Sequence, residues 1–586
     1  MKRASLRNPV LLGLLALLIA GCIPLCVQGF PLYLATAAVI GVFPILSVGL
    51  ITGRAGIITL CQLSFTGIGA WSVAALNAAG YSLPIGLLIL LGGLAAVPFG
   101  LLLGLASLRL RGINMGIVTL MFAAAAAAYF QLYPLPGLSA GKVVDRGAPF
   151  ESDSAFFWLS LTVLALVVGV VSLVSRSRTG TSWLVVRTSE RGAASLGLPT
   201  AVAKLTVFMV GAAVSGVGGA LLIAQTGVVS GDSFGILPSI VVFTLAILFG
   251  ARFIEGAILG ALASVVVPQL LLAAGIPNDI GTLIFAVTAL PALRTGYGMA
   301  EALRARLARR SNNNPAPDGR RESKRSISRD RSRWRQGTEP VHTDDRVLPT
   351  AVEATPALSI LDLSVQYGSV RALDGVTISV PSRSVVAIVG PNGAGKSTLV
   401  DAVAGFLPGY TGEVRLNGTN LDGWQAHRRA QAGLRRTFQQ VRATADLTVQ
   451  QYLQLAAGRR LDRDEVDAVL DFVQGPTARS LIANVDVGSR RLIEIGGGLV
   501  SEPAVLLLDE PAAGLPSSES ELLGERISLM PSVFKCSVVV IEHDMTLVHS
   551  VCDEVTVLNF GRVIATGSPK HALSDPLVVS AFLGAE

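Results

Sequence analysis

Apolar residues in this chain come in long, nearly unbroken windows, and nothing else in the sequence limits the fold so strongly. They run from Pro9 to Val27, Leu32 to Leu50, Ala55 to Leu76, Leu83 to Ala106, Ile113 to Phe130, Ala155 to Val174 and Ala201 to Ala224, then Ile236 to Phe249, Glu255 to Ala274 and Ile280 to Leu293. A helix needs about twenty apolar residues to cross a bilayer, and within hydrocarbon each backbone polar group has to be satisfied inside the segment, which selects helices. The windows predict an N-terminal α-helical transmembrane domain of about ten spans over residues 1-303. The eighth and tenth windows are short, and Gly250 and Gly256 punctuate the junction of the eighth and ninth, so half-helices of the kind transporters place near a midplane site are an open alternative. With 51% hydrophobic and 15% charged residues, a 586-residue chain is too apolar for a single soluble protein.

Charge orients the windows, because short cytoplasmic loops collect Lys and Arg. Lys2, Arg3 and Arg7 precede the first window, Arg109 and Arg111 follow the fourth, Arg176, Arg178, Arg187 and Arg191 follow the sixth, and Arg294, Arg304 and Arg306 follow the last. Each cluster falls after an even number of crossings, which places both ends of the membrane part in the cytoplasm. The run "LIAGC" ending at Cys22 also looks like a lipoprotein cleavage site. Cleavage there would delete the first span and invert the parity of the rest, and the apolar run continues past Cys22. Lys204, near a cytoplasmic end, reads as a snorkelling side chain. The cysteines, Cys22, Cys26, Cys61, Cys536 and Cys552, have no metal-ligand spacing and read as core thiols.

Between Arg304 and Arg335 twelve Lys and Arg face three acids, a net of +9, while the whole chain carries +7, so the remainder is 2 charges negative. The stretch is rich in Pro, Gly and Ser and has no periodicity, so residues 304-356 read as a solvated, disordered linker. Contact of that run with anionic lipid is the competing reading.

From residue 357 to 586 the texture is that of an α/β domain. "SVVAIVG" is a β-branched strand that runs into "PNGAGKSTLVDAVAGFL", and Gly390, Gly395, Lys396 and Ser397 satisfy G-x-x-x-x-G-K-[ST] between a strand and a helix. Such a loop closes backbone N–H groups around phosphate oxygens at a helix N-terminus, where the dipole favours anions. Asn392, Gly393 and Thr398 belong to the same loop. Lys396 would reach the β and γ phosphates of ATP, and the Ser397 hydroxyl would ligate Mg²⁺. "AVLLLDEP" is a buried strand ending in paired carboxylates: Asp509 would hold Mg²⁺ through water and Glu510 would polarise the attacking water. "SVVVIEHDM" leaves His543 at the carboxyl end of a third strand, where ligands of open α/β sheets gather and where it would contact the γ-phosphate.

These residues, in this order, resemble the ATP-binding cassette family over Ala357 to Glu586. The resemblance implies that Tyr367 in "LSVQYGSVRAL" stacks on adenine and that Gln439 in "RRTFQQV" touches Mg²⁺ and the membrane domain. "RRTFQQVR", "LLLDEPAAGL", "IEHDM", "VTVLNFGRVIATGSP" and "DPLVVSAFLG" are similar to the ATPases of the leucine-isoleucine-valine uptake family. The membrane half is similar to the permease of that family in "FTGIGAW", "LRLRGINMGIVTLMFA", "SERGAASLGLP" and "ALLIAQTGVVSGDSF". The resemblance implies an importer of branched-chain or other hydrophobic amino acids, or related small amides, fed by an extracytoplasmic binding protein and seated in a bacterial cytoplasmic membrane with its cassette inside. No nucleic-acid partner is expected. It also implies that the loop from Arg176 to Pro199 carries a short helix, "ERGAASLG", that docks in a cleft beside Gln439. Departures lie at Leu60-Cys61-Gln62-Leu63-Ser64, where the permeases usually carry Leu-Gly-His-Ala-Ala, and at "GLSAG".

The signature segment departs further. Where the family has Leu-Ser-X-Gly-Gln, this chain has Val485-Asp486-Val487-Gly488-Ser489, and Pro516 replaces the usual Asn or Asp of a following loop. In the family, ATP is sandwiched between the phosphate loop of one cassette and the signature of the other. A carboxylate about 4 Å from a phosphate charge costs roughly 4 kcal/mol at an effective dielectric of about 20, or about a thousandfold in affinity. Intact phosphate machinery beside a poor signature favours a heterodimer with a second permease and cassette over a homodimer. Two other readings are an exporter half, which would show six long spans with extended cytoplasmic helices, and a cassette that transmits force without transport, which would carry a large external domain.

Overall fold

The computed structural model describes residues 17–136, 144–250, 252–277, 355–515 and 517–583, with isolated positions between 280 and 299. The start of the first window, most of the tenth, all of "GLSAG", Pro516 and nearly all of the basic linker lie outside the described residues. The chain divides into two compact units, one of Met1–Arg187 with Ala201–Ser323 and one of Thr188–Thr200 with Lys324–Glu586. The segment 188–200, placed by sequence in the permease domain, thus groups with the cassette.

In the first unit most of the described apolar windows become helices. They are α1 (Phe30–Val48, continued by a π turn over Gly49–Arg54), α2 (Gln62–Ala78), α3 (Ile85–Arg109), α4 (Ile113–Leu132), α5 (Asp153–Arg176), α6 (Arg178–Thr188), α7 (Glu190–Ser195), α8 (Thr200–Thr226), α9 (Ile236–Phe249) and α10 (Ile254–Ala273), of which α7 lies in the second unit. Among the described residues six are long and apolar enough to cross a membrane: α1 with its π turn, α3, α4, α5, α8 and α10. At 17 and 14 residues, α2 and α9 are shorter. The third window, read as one continuous run, is broken: residues 56 to 61 are not helical and α2 starts only at Gln62. Threonines satisfy the freed backbone there. The Leu60 N–H donates to Thr119 Oγ1 at 3.1 Å and the Thr52 hydroxyl to the Ile57 carbonyl at 2.9 Å, the device that permits broken helices at membrane depth.

Small residues draw α2, α3 and α8 together. A Cβ on Gly219 would lie 1.8 Å from the Thr66 carbonyl oxygen, and one on Gly69 would lie 2.2 Å from that of Gly216. Helices in lipid gain attraction from such close approach. Ser215 donates to the Gln62 carbonyl at 3.0 Å and Ser47 to that of Gly211 at 2.8 Å. Lys204 does not snorkel: it is 4% exposed and its Nζ donates to the Ser107 carbonyl at 3.1 Å. A carbonyl near the end of α3 thus offers the ammonium a nearer partner than water. Cys61 and Cys536 are buried as core thiols, but Cys22 and Cys26 are exposed.

The second unit holds two sheets. One is antiparallel, in the order β2-β1-β4-β5, from β1 (Leu358–Tyr367), β2 (Val370–Val380), β4 (Thr411–Leu416) and β5 (Thr419–Asn420). The other has the order β10-β9-β3-β8-β7-β6, with β3 (Val385–Val389), β6 (Leu434–Arg436), β7 (Val505–Asp509), β8 (Ser537–Ile541), β9 (Glu554–Asn559) and β10 (Arg562–Gly567). Its strands are parallel except at β9 and β10. Every residue of β3 and β8 is buried, which is why these strands read as unbroken apolar runs. α11 (Lys396–Val403) follows β3; α12 (Val449–Ala457) and α13 (Arg463–Val473) each start with a capping box; α14 (Val487–Leu499) and α15 (Ser517–Phe534) flank β7. One core lies between the sheets around Leu358, Val386, Leu399 and Leu507, and a second lies under α14 and α15 around Leu506, Ile527 and Val538.

Candidate functional site

The turn from β3 into α11 is shaped by two close approaches. Gly390 sits at φ +154°, where a Cβ would lie 2.2 Å from the Leu558 carbonyl oxygen, and Gly395 at φ +101°, 2.7 Å from that of Ala372. Only glycine tolerates both constraints. Gly393 stands at φ +83° with Asn392 exposed beside it. Lys396 folds back over the loop, its Nζ donating to the carbonyls of Gly390 at 2.6 Å and Pro391 at 2.9 Å. Burial pulls the lysine pKa down, while Glu510 and Asp509 push it back up. Ser397 is exposed and Thr398 half-buried on the first turn of α11. The loop, the lysine and both carboxylates therefore share one place at the carboxyl ends of β3 and β7.

Glu510 is held in an uncommon conformation. Its φ is +47°, rare for a side-chain-bearing residue, and strain of this sort collects at functional positions. Its N–H donates to the Ile541 carbonyl at 2.9 Å, and Arg491 donates to its carbonyl at 2.7 Å. Gln439 Nε2 donates to Glu510 Oε2 at 2.6 Å. Asp509 lies beside Ile541 in the β7–β8 ladder, so His543, two residues farther on, stands at the same sheet edge with its side chain 69% exposed. Its neighbour Glu542 is buried, which raises its pKa, and it accepts the Ala512 N–H at 3.0 Å. Tyr367 ends β1 on the antiparallel sheet, 52% exposed and paired with Val370. The hydroxyl of Ser397, the Asp509 carboxylate and the Gln439 amide are hard oxygen donors of the type Mg²⁺ takes.

Asp486 is the N-cap of α14. Its carboxylate accepts the Ser489 N–H at 2.8 Å and the Ser489 hydroxyl at 2.7 Å, and these bonds hold its pKa below the usual carboxylate range. A Cβ built on Gly488 would lie 3.6 Å from Glu519 Oε2, so a second acid borders the signature.

Sequence reading missed the residues that tie these parts together. Arg491, one turn into α14, donates to the carbonyls of Pro511 at 3.0 Å, Ala513 at 2.9 Å and Gln439 at 2.5 Å, in addition to Glu510. Glu494, one turn farther, accepts the Arg442 N–H. The second unit also contains α7. Ser189 caps α7 by accepting the Gly192 N–H at 3.0 Å and accepts Arg442 Nη1 at 2.7 Å; Arg435 donates to the Ser195 carbonyl at 3.1 Å and Gln431 to that of Gly197 at 2.8 Å. The sequence carried the expectation that "ERGAASLG" forms a short helix docking beside Gln439, but it named none of these partner residues.

A family model for the permease component of branched-chain amino acid transport systems matches residues 30–293, and a model for ABC transporters matches residues 373–513. The high-affinity branched-chain amino acid transport ATP-binding proteins BraF of Pseudomonas aeruginosa and LivG of Escherichia coli are each 32% identical over 250 residues, 39% of this chain and 98% of the relative. The ribose import ATP-binding protein RbsA 2 of Rhizobium etli is 32% identical over 235 residues, 38% of this chain and 46% of that protein. Among solved structures, the ADP conformation of an ATP-binding cassette of an ABC transporter aligns at 27% identity and a TM-score of 0.36, over 39% of this chain and 99% of that one.

Proposed function

The chain belongs to the branched-chain amino acid ABC transporter family, with permease and ATPase fused in one polypeptide, and from this premise we propose that it imports branched-chain or other hydrophobic amino acids. It is an ABC-type ATPase that binds ATP, and it is a membrane protein. The cargo arrives on an extracytoplasmic binding protein, and the cassette faces the cytoplasm of a bacterial inner membrane. The permease match on the same chain as the cluster of Lys396, Asp509 and Glu510 carries this reading.

In the ATPase step the phosphate loop and Lys396 hold the phosphates and Tyr367 stacks on the adenine. Ser397, Asp509 and Gln439 would hold Mg²⁺, which neutralises phosphate charge when bound. Glu510, oriented by Gln439 and by Arg491 at its carbonyl, accepts a proton from the attacking water. His543 lies at the same edge for the γ-phosphate. A second permease and cassette supplies the other half of the sandwich, and the Asp486 carboxylate favours a partner unlike this chain. The direct test is uptake by vesicles carrying the chain and its partner, with labelled leucine offered on its binding protein. Accumulation that requires both ATP and the binding protein is expected; ATP-driven loss of leucine from preloaded vesicles would contradict import.

A further inference from the structure

Between α7 and the end of β7 the second unit holds a continuous line of charges. Arg191 of α7 lies 3.2 Å from Asp401 Oδ2 on α11, Asp401 Oδ1 accepts from Arg436 Nη1, and Arg436 Nη2 lies 3.0 Å from Asp509 Oδ2. Phenylalanines fill the gaps. The Arg191 and Arg436 guanidiniums stand 5.6 and 5.7 Å from the Phe406 ring, and those of Arg436 and Arg442 stand 4.9 and 4.3 Å from Phe438. Arg442 then reaches back to Ser189, the cap of α7. Three guanidiniums thus share this column with two carboxylates, and Arg442 feels the surplus: burial first, then Arg191 and Arg436, lower its pKa.

Arg436 is the pivot. Its side chain is 5% exposed, and a buried charge deprived of its partners is strongly disfavoured. It must keep a grip on Asp401, on Asp509 or on both. A cation held at Asp509 draws on the carboxylate that Arg436 uses, so Arg436 then leans on Asp401, and Asp401 has less to offer Arg191.

We propose that Arg191, Asp401 and Arg436 are positioning residues that couple the hold of Asp509 on magnesium to the hold of the cassette on α7. The coupling rests on the reading of Asp509 as a magnesium ligand. It runs in both directions, as any linkage between two sites does: a freed α7 strengthens the metal site, and a filled metal site loosens α7.

The test uses the full chain in lipid nanodiscs with a non-hydrolysable ATP analogue. Mn²⁺ serves as a spectroscopic substitute for the affinity measurement, and hydrogen exchange of the α7 amides is followed with Mg²⁺ or with EDTA. Arg191→Ala removes the competitor for Asp401, so Mn²⁺ affinity rises about fivefold or more. Asp401→Asn leaves Arg436 with Asp509 alone, so Mn²⁺ affinity falls by a similar factor, and exchange at α7 ceases to respond to metal. A long-range charge effect would give the same signs, and the double variant separates the two. With the relay, Arg191→Ala has no effect in the Asp401→Asn background; effects that simply add, or single variants that leave Mn²⁺ affinity unchanged, overturn the proposal. Asp509→Ala guards the premise: if it leaves Mn²⁺ affinity unchanged, the metal assignment fails and the coupling falls with it. If it abolishes Mn²⁺ binding while the relay variants do nothing, the coupling alone fails.

Discussion

The Asp486 carboxylate accepts both the backbone N–H and the hydroxyl of Ser489. One side chain therefore caps α14 and ties up the hydroxyl of Ser489, the residue that stands where the signature has Gln. The cap bonds and the helix N-terminus both favour the charged form, so the carboxylate would repel a phosphate that another cassette brought against it.

Asp486→Ser tests that repulsion without unmaking the helix, because Ser caps a helix about as well as Asp. The isolated chain, expected to be nearly inactive as a self-pair, should gain ATPase activity, up to about a thousandfold in nucleotide affinity at the sandwich if the full electrostatic penalty of roughly 4 kcal/mol is relieved. Unchanged turnover in the variant, beside a wild-type self-pair that already hydrolyses at full rate, removes the case for an unlike partner. Activity restored to the wild-type chain by a family partner supports it.

Glu494 sets a pH dependence. The side chain is 7% exposed, one oxygen accepts the Arg442 N–H, and the other has no partner among the described residues. Burial lifts its pKa from 4.5 to about 7 despite the pull of Arg491 and Arg442. A raised carboxylate pKa means that the folded state keeps a proton the unfolded chain has released. The contribution is whole below about pH 4.5 and is lost as pH rises through about 7. Over that window it amounts to about 3 kcal/mol. The thermal midpoint of the cassette should fall as pH rises across the window, and Glu494→Gln should flatten that slope. An equal slope in the variant would assign the dependence to other groups.

The helix contacts in the membrane unit can be tested at Gly219, where a side chain would drive into the Thr66 carbonyl. Gly219→Val should cost about 1 to 3 kcal/mol through overpacking, seen as a lowered temperature of aggregation in detergent. Gly86 on α3, whose Cβ would meet nothing among the described residues within 4 Å, is the control and should tolerate Ala. Equal behaviour at both positions would mean that the α2–α8 contact is looser than it stands here.

The parts legible in the sequence were those whose physics is local. The phosphate loop announces itself because Gly390 and Gly395 need backbone angles that other residues resist, and β3, β7 and β8 announce themselves because both faces are buried. Most apolar windows became helices for the same reason. What could not be read depends on residues far apart in sequence: Thr119 receiving the broken backbone before α2, Ser107 receiving Lys204, Asp401 meeting Arg191. The third window looked continuous because apolar side chains fill it on both sides of the break. Arg491 and Glu494 could not be singled out in the sequence, since nothing in their own helix reveals that a strand end and a loop converge on them.

The central claim, that hydrolysis at this cassette drives accumulation through the permease on the same chain, is tested most directly at Glu510, which Gln439 meets at 2.6 Å. ATP binding, phosphate release and uptake of labelled leucine should be measured together in vesicles carrying the chain, its partner and the binding protein, for the wild type and for Glu510→Gln. The account predicts that the variant binds ATP as the wild type does, loses at least about a hundredfold in phosphate release, as removal of a positioned general base does, and accumulates no leucine above the level without ATP. A variant that keeps most of its phosphate release, or that accumulates leucine as the wild type does, would contradict it.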